Sequence, residues 1–160
     1  MARQALYAWG TQILAAPTWD RGSMWQATLR HIAKEGGVYV IGCCQALHVD
    51  DIPDRYAFKD LYAEGTEWIN SGESCVVDPT GRVTAGPLRN QEGIVYAEVD
   101  PRRLLSAKRM LDVAGHYARP DLFQLSVNRS PSFLVQSTEP QQDLGQPEAS
   151  VAGGTEPASG

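Results

Sequence analysis

A helix that runs directly into an apolar strand is the feature that most constrains the fold of this chain. Apolar residues recur at helical spacing from Leu29 to Ala33, and Gly36 and Gly37 then predict the end of that helix. The run at 38–41 follows at once, and its β-branched apolar residues are typical of a fully buried strand. The sequence therefore predicts a helix packed onto a central strand.

A second apolar run precedes this helix and ends at a proline. Residues 12–16 form the predicted first strand, so the order strand, helix, strand predicts a right-handed crossover with two parallel strands. Either Asp20 or Ser23, in the polar loop before the helix, is expected to cap its amino end. Ligands in such sheets bind beyond the carboxyl ends of the strands, which here are 17–20 and 43–45.

Shorter elements are predicted in the rest of the chain. They are, in order, a helix at 2–9 closed by Gly10, an irregular surface segment at 48–62, a hairpin formed by 74–77 and 83–85, a strand at 93–99, a helix at 102–111 capped by Asp100, and an extended segment at 116–127 that docks on a partner. The hairpin depends on the turn sequence Asp-Pro-Thr-Gly, in which the proline presets φ and the glycine tolerates a positive φ. Together these elements predict an α/β fold.

Composition excludes several classes of partner. The 160 residues suffice for one ordinary domain, and a net charge of -5 predicts no binding to nucleic acid or to an anionic membrane. No stretch approaches the roughly 18 consecutive apolar residues of a membrane-spanning helix. The chain has 3 cysteines, two of them adjacent, which is no disulfide framework and therefore favours a reducing compartment, the cytoplasm.

The two ends of the chain differ from its middle. A helix that already runs at residue 2 indicates a chain truncated ahead of Met1. From residue 129 onward Ser, Pro, Gln, Glu and Gly dominate the sequence, so a disordered tail is predicted at 129–160. The predicted domain therefore occupies residues 1–128.

Five stretches of the sequence, in this order and at this spacing, resemble the C-terminal half of a nitrilase, a member of the carbon-nitrogen hydrolase superfamily. They read ALYAWGTQI, APTWDRG, LRHIAKEGGVYVIGCCQAL, GESCVVDPTGRVTAGP and DVAGHYARPDLFQLSVN, and the resembling text runs from about residue 3 to residue 128. The resemblance implies an α-β-β-α sandwich of the nitrilase type, of which this chain supplies only the C-terminal half. It does not extend into the tail.

Nitrilases use a cysteine nucleophile, a glutamate base and a lysine, and the resemblance implies no cofactor. The positions that match all three catalytic groups lie ahead of Met1, so the resemblance implies no catalytic residue in this chain and no hydrolysis by the chain alone. It implies a small-molecule nitrile as the substrate of the intact enzyme. It also implies assembly, either as a homo-oligomer or with the missing N-terminal half.

The resemblance marks three residues near a substrate site. Thr18 and Trp19 belong to a loop that lies beside the nucleophile in the family, and Trp19 is equally consistent with a pocket wall and with a core plug. Glu35 ends a helix that lies beside the active site. It is expected either to pair with Arg30 or His31, or to support the active site from behind.

The cysteines suggest a different enzyme as an alternative. Cys43 or Cys44, acting with His31, would suit acyl transfer. Successive strand residues point to opposite faces, however, so at most one of the two thiols faces a pocket, and a buried cysteine usually acts as a small apolar group. A structural role is therefore favoured for both.

The remaining polar clusters are expected to be structural. His48 and the acidic residues at 50–51 are too crowded for a known metal site, so no metal is expected. His116, Arg119 and Asp121 are expected to serve packing or an interface. A fragment without the other half of its sandwich would expose an apolar patch, so the alternative to catalysis is a binding or assembly partner of a nitrilase subunit.

Overall fold

The computed structural model describes residues 2–62 and 64–130. Its helices and strands are α1 (Ala2–Ala8), β1 (Ile13–Thr18), α2 (Gly22–Gly36), β2 (Tyr39–Cys44), β3 (Ala46–His48), β4 (Trp68–Val77), β5 (Val83–Arg89) and α3 (Pro101–Met110). None of the helices in these ranges is long and apolar enough to cross a membrane. The predicted tail at 129–160 lies outside the described residues except for its first two, so its disorder and the boundary at 128 stay predictions.

The strands form one mixed sheet. β1 and β2 pair in parallel, with Ile13 opposite Tyr39 and Thr18 opposite Cys44, which confirms the predicted order of strand, helix and parallel strand. β4 runs antiparallel to β2, β3 and β5. The hairpin of β4 and β5 is confirmed, although β4 begins at Trp68 and is longer than predicted.

The core lies between α2 and one face of this sheet. Leu29 and Ile32 of α2 are buried against Val40 and Val77, so the predicted amphipathic helix on a central strand is confirmed. Gly42 permits this close approach, because a Cβ atom there would stand 2.6 Å from Cδ1 of Leu29. Burial of these apolar side chains is the main favourable contribution to folding.

The opposite face of the sheet is covered only in part by the described residues: Tyr39 and Val76 lie on it and are 1% and 6% exposed, and the Tyr39 hydroxyl bonds to the Asp100 backbone. Side chains alternate along β1 and β2, so Ile13, Ala15, Pro17, Ile41 and Cys43 share this face, and all five are exposed. Ile13 is 47% exposed and Ile41 is 39% exposed. The predicted buried run at 38–41 is confirmed for 38–40, which are at most 1% exposed, and is wrong for Ile41. We call these five residues the open face.

Glycines end the first two helices as predicted, but the predicted cap of α2 is wrong. Gly37, at φ 57°, donates its N–H to the carbonyl of Ala33 at the end of α2. At the other end no side chain of the preceding loop caps the helix, because the Asp20 carboxylate accepts the N–H of Arg21 instead. Asp100 does cap α3, as predicted, by accepting the N–H of the second helical residue.

Residues 93–99 do not form the predicted strand. Within the described residues they pair with no other strand, and Ile94 and Tyr96 are 75% and 81% exposed. β propensity marks a segment that fits a sheet, but a strand also needs a neighbour whose backbone groups complete its hydrogen bonds. That neighbour is absent from the described part of the chain.

Candidate functional site

The carboxyl ends of β1 and β2 lie side by side, and β4 crosses beside them. Thr18 pairs with Cys44 in the parallel register. Asn70 of β4 is fully buried, and its Nδ2 atom donates to the carbonyl oxygen of Trp19 at 2.8 Å. Its Oδ1 atom accepts from the Cys44 thiol at 3.6 Å. One buried amide therefore links the loop after β1 to the last residue of β2.

The loop after β1 carries an exposed indole on a fixed backbone. Trp19 is 53% exposed in this chain, and its role as a pocket wall or as a core plug of the whole protein stays a prediction. The hydroxyl of Thr18 accepts the N–H of Asp20 at 2.9 Å, and Nη1 of Arg21 donates to the carbonyl oxygen of Ile69 at 2.6 Å. Both ends of the loop are thus restrained.

Glu73 is a site residue that sequence reasoning missed. Its buried carboxylate accepts the N–H of Gly22 at 3.0 Å and the hydroxyl of Ser71 at 3.3 Å, and it pairs with Arg89 at 3.2 Å. Gly72 and Glu73 have φ values of 82° and 83°, and the β4 register shifts there, so the strand bulges. The glycine inside an apolar strand was the available signal for this bulge.

A cavity of about 270 Å³ opens at the end of β2. Six of the residues that line it are Cys43, Cys44, Gln45, Ser74, Leu88 and Glu92. The Ser74 hydroxyl holds this end of the strand, since it accepts the N–H of Cys44 and donates to the Cys44 carbonyl, both at 3.0 Å. Neither Thr18 nor Trp19 lines this cavity; they lie at the neighbouring end of β1.

The cysteines are not arranged as an activated nucleophile. Cys43 is exposed on the open face, whereas Cys44 and Cys75 are buried. Burial raises the pKa of both buried thiols and outweighs the opposing effect of the amide side chains of Asn70 and Gln26, to which the thiols donate. The Cys44 thiol donates to a backbone carbonyl and to an amide oxygen, neither of which takes up a proton. His31 lies on α2 beside Glu35 instead, at 3.6 Å.

Iodoacetamide near neutral pH is therefore expected to modify Cys43 at the rate of an ordinary exposed thiol, and Cys44 and Cys75 far more slowly. The thiolate is the reacting species, and both the raised pKa and the burial of the other two thiols oppose its formation and access. Mass spectrometry of labelled peptides gives the rates. A Cys43→Ser variant should lose the fast phase, and a Cys44 that reacts first at pH 7 would contradict this account.

Glu35 lies at the far end of α2 from the loop that carries Thr18 and Trp19. The helix between Gly22 and Glu35 is about 20 Å long. The Glu35 carboxylate accepts from the Tyr7 hydroxyl at 3.1 Å, and burial together with this negative charge raises the pKa of Tyr7 to about 12. The structure thus brings Glu35 to α1 rather than to the loop, and its support of the active site stays a prediction.

The local pairing expected for Glu35 is found with one of the two candidate partners. His31 lies 3.6 Å from its carboxylate, and Arg3 of α1 lies 3.4 Å away. Arg30 takes no part, because its Nε atom donates to the carbonyl oxygen of Gly81 in the hairpin turn at 2.9 Å. Glu35 therefore links the first two helices.

The other polar clusters make local bonds. Nδ1 of His48 accepts the N–H of Asp50, while the Asp51 carboxylate accepts the N–H of His48, so these residues cap a single helical turn. Arg119 pairs with Asp121 at 2.6 Å on the surface. Across residues 2–62 and 64–130, no group of three or more His, Cys, Asp or Glu side chains is placed to hold a metal ion.

The fold is a parallel strand, helix, strand unit extended by an antiparallel hairpin. A helix packs on one side of its sheet, and the other side carries the apolar open face. This arrangement is one half of an α/β sandwich. The sequence profile of the carbon-nitrogen hydrolase family matches residues 2–109. The chain belongs to the carbon-nitrogen hydrolase family.

Curated relatives of this chain include several nitrilases. Nitrilase 2 of Arabidopsis thaliana is 41% identical over 137 residues, which are 83% of this chain and 40% of that protein. The arylacetonitrilase of Trametes versicolor is 39% identical over 82% of this chain and 42% of that protein. The aliphatic nitrilase of Sinorhizobium fredii is 39% identical over 84% of this chain and 44% of its own length. The chain spans less than half of each relative.

Solved structures share the fold. The Caenorhabditis elegans NitFhit protein superposes with a TM-score of 0.54 and 27% identity over 82% of this chain and 30% of that one. Saccharomyces cerevisiae Nit3, described as a member of branch 10 of the nitrilase superfamily, superposes with a TM-score of 0.52 and 22% identity over 72% of this chain and 38% of its own. The α/β fold implied by the sequence is therefore that of the nitrilase superfamily.

Proposed function

We propose that this chain is the C-terminal part of a nitrilase, and that the whole protein converts a nitrile into a carboxylic acid and ammonia. The relatives named as nitrilases support this reaction class. The observation that carries the proposal is the open face, which extends to the carboxyl ends of β1 and β2, where α/β sheets bind their ligands. A second layer on that face would complete a sandwich and enclose a site beside Thr18 and Trp19.

Nitrile hydrolysis needs three groups that the resemblance assigns to the portion ahead of Met1. A thiolate adds to the nitrile carbon, a base removes the thiol proton and later activates water, and a cation stabilises the negative charge that develops on nitrogen. One water hydrolyses the resulting thioimidate to a thioester and releases ammonia, and a second water hydrolyses the thioester to the carboxylic acid and the free thiol. We assign to this chain the pocket wall, with Thr18 and Trp19 beside the nucleophile.

The test is to supply the other half of the sandwich. The portion of Arabidopsis Nitrilase 2 that precedes the matched region, here named the companion chain, is co-expressed with this chain. We expect the two to co-purify and to release ammonia from aromatic, aliphatic or arylacetonitrile substrates. A companion chain with alanine in place of its nucleophilic cysteine is the control, and ammonia release at the control level by the co-purified pair would contradict the proposal.

A non-catalytic assembly role is the second candidate, and an apolar groove favours it. α1 and the segment at 113–127 enclose about 710 Å³, with the exposed side chains of Trp9 and Phe123 on its border. Apolar patches of this kind often mark interaction sites. Static light scattering of the purified chain tests its self-association: an assembled species supports a homo-oligomer, and a clean monomer contradicts it. Failure to co-purify with the companion chain would contradict a nitrilase partner.

The cytoplasm is the compartment that we propose for this protein. The three thiols at 43, 44 and 75 are free, which suits a reducing environment. Fractionation of expressing cells is expected to recover the chain with cytoplasmic proteins. Recovery from the medium or the periplasm would contradict this assignment.

A further inference from the structure

One short stretch of β4 forms hydrogen bonds with the loop that carries Thr18 and Trp19. Asn70 donates to the Trp19 carbonyl at 2.8 Å, and the carbonyl of Ile69 accepts from Arg21 at 2.6 Å. The third contact comes from Glu73, whose Oε2 atom accepts the N–H of Gly22 at 3.0 Å. Residues 69–73 thus hold the loop along its length.

Glu73 keeps an unfavourable backbone conformation at this point. Its φ of 83° is one that glycine adopts freely and other residues rarely do. The preceding residue, Gly72, has nearly the same φ of 82° and is a glycine. A side chain at position 73 therefore carries a backbone strain that a glycine would relieve, which points to a use for its carboxylate.

The carboxylate of Glu73 connects three separate elements. It is only 6% exposed, accepts the first N–H of α2, pairs with Arg89 of β5 at 3.2 Å and accepts the Ser71 hydroxyl of its own strand. The first N–H groups of a helix have no partner inside the helix and attract negative charge. Because Gly22 directly follows the loop, this contact fixes where the loop ends.

We propose that Glu73 is a positioning residue: through the N–H of Gly22 and the Arg89 pair, it holds the loop of Thr18 and Trp19 at the carboxyl end of β1. The loop serves as a pocket wall only if the proposed nitrilase function holds. The positioning itself is a property of this chain and can be measured without catalysis.

Amide hydrogen exchange of the chain tests the proposal, with Glu73→Gly and Glu73→Gln as variants. Glycine relieves the backbone strain and removes the carboxylate, so the Gly22 amide is expected to exchange about tenfold faster or more, while amides of β2 are unchanged. Glutamine keeps an acceptor oxygen but loses the charge that pairs with Arg89, so an intermediate increase is expected. Glu67→Gln, which changes an exposed glutamate just before β4, is the matched control.

Two outcomes would overturn the proposal. One is a Glu73→Gly chain that protects the Gly22 amide as well as the parent does. The other is a Glu73→Gln chain that is indistinguishable from the parent, which decides the matter even where the glycine variant does not fold. The Gln26 side chain donates to the main-chain oxygen of residue 73. Neither variant removes this hydrogen bond, so the start of α2 is expected to stay near β4. The change in amide exchange should therefore stay local.

The pair with the companion chain gives a second readout that depends on the proposed function. Glu73→Gly is expected to raise KM for a nitrile by about tenfold with a smaller change in kcat, because the substrate wall moves while the reacting groups of the companion chain do not. If the pair shows no hydrolysis at all, the proposed function fails and the exchange result still decides the positioning role. A fall in kcat with an unchanged KM would contradict the placement of this loop in the wall of the substrate pocket.

Discussion

Purified without a companion chain, this 160-residue chain is expected to release no ammonia from any nitrile above the uncatalysed rate. Loss of a nucleophile costs on the order of 10⁶ in turnover, and the resemblance places the base and the cation ahead of Met1 as well. The buried thiols do not replace the nucleophile, because burial raises the pKa of Cys44 and of Cys75. Ammonia is measured over hours at high protein concentration.

Cysteine variants separate this expectation from the acyl-transfer alternative. A chain with serine at 43, 44 and 75 should keep full activity when it is paired with the companion chain, because the nucleophile belongs to the companion. Hydrolysis by the unpaired parent chain that disappears in Cys44→Ser would contradict the assignment. It would also establish Cys44 as the nucleophile.

Asp78→Asn is expected to lower the free energy of unfolding by about 2–4 kcal/mol at neutral pH. Asp78 is fully buried in the hairpin turn, where its carboxylate pairs with Arg103 at 2.8 Å and accepts from the Thr80 hydroxyl at 2.6 Å. Asparagine keeps one acceptor oxygen but leaves the arginine without its partner charge. Urea denaturation followed by circular dichroism gives the value.

The same carboxylate predicts a pH dependence. Burial alone would raise the pKa of Asp78, but hydrogen bonds from Thr80, from the backbone N–H groups of the turn and from Arg103 hold it below its ordinary value. A group with a lowered folded-state pKa contributes stability above its unfolded pKa of about 3.9 and loses that contribution as the pH falls through the folded value. The parent chain should therefore lose more stability between pH 5 and pH 2 than Asp78→Asn does, and the difference between the two should narrow as the pH falls.

Asp121→Asn is the matched control for both measurements. Asp121 also pairs with an arginine, Arg119, but both side chains are exposed and solvent screens the pair. Its replacement is expected to leave the unfolding transition close to that of the parent. A similar loss of stability in the two variants would contradict the assignment of the Asp78 effect to a buried charge.

The elements that the sequence predicted well are those decided by neighbours along the chain. Helical spacing from Leu29 to Ala33, the stop at Gly37 and the proline-containing turn after β4 each depend on a few adjacent residues, and all three are confirmed. The parallel pairing of β1 and β2 followed from their order. Local signals were therefore enough for the architecture that positions the site.

The features that the sequence missed depend on groups distant along the chain. Glu73 caps a helix that begins 51 positions earlier, and Asn70 bonds to a carbonyl that is also 51 positions away. No spacing rule relates such positions before the sheet is assembled. The predicted strand at 93–99 failed for the related reason that propensity does not supply a pairing partner.

Burial was misjudged where it depends on a second layer. The apolar run at 38–41 suited a strand covered on both faces, and residues 38–40 are buried, yet Ile41 and the neighbouring Cys43 lie exposed on the open face. The apolar side chains of a strand match the layers that pack against it in the whole protein. The disagreement between pattern and exposure is therefore the strongest sign that a further layer belongs on this sheet.

Protection of Cys43 tests the central claim most directly, since this thiol lies on the open face. Its rate of reaction with iodoacetamide is compared in the chain alone and in the pair with the companion chain, with the pair first verified by size-exclusion chromatography. If the companion chain covers the open face, the rate should fall at least about tenfold, because buried thiols react far more slowly than exposed ones. A pair that forms while Cys43 reacts as fast as before would contradict the sandwich and, with it, the assignment of this chain as half of a nitrilase.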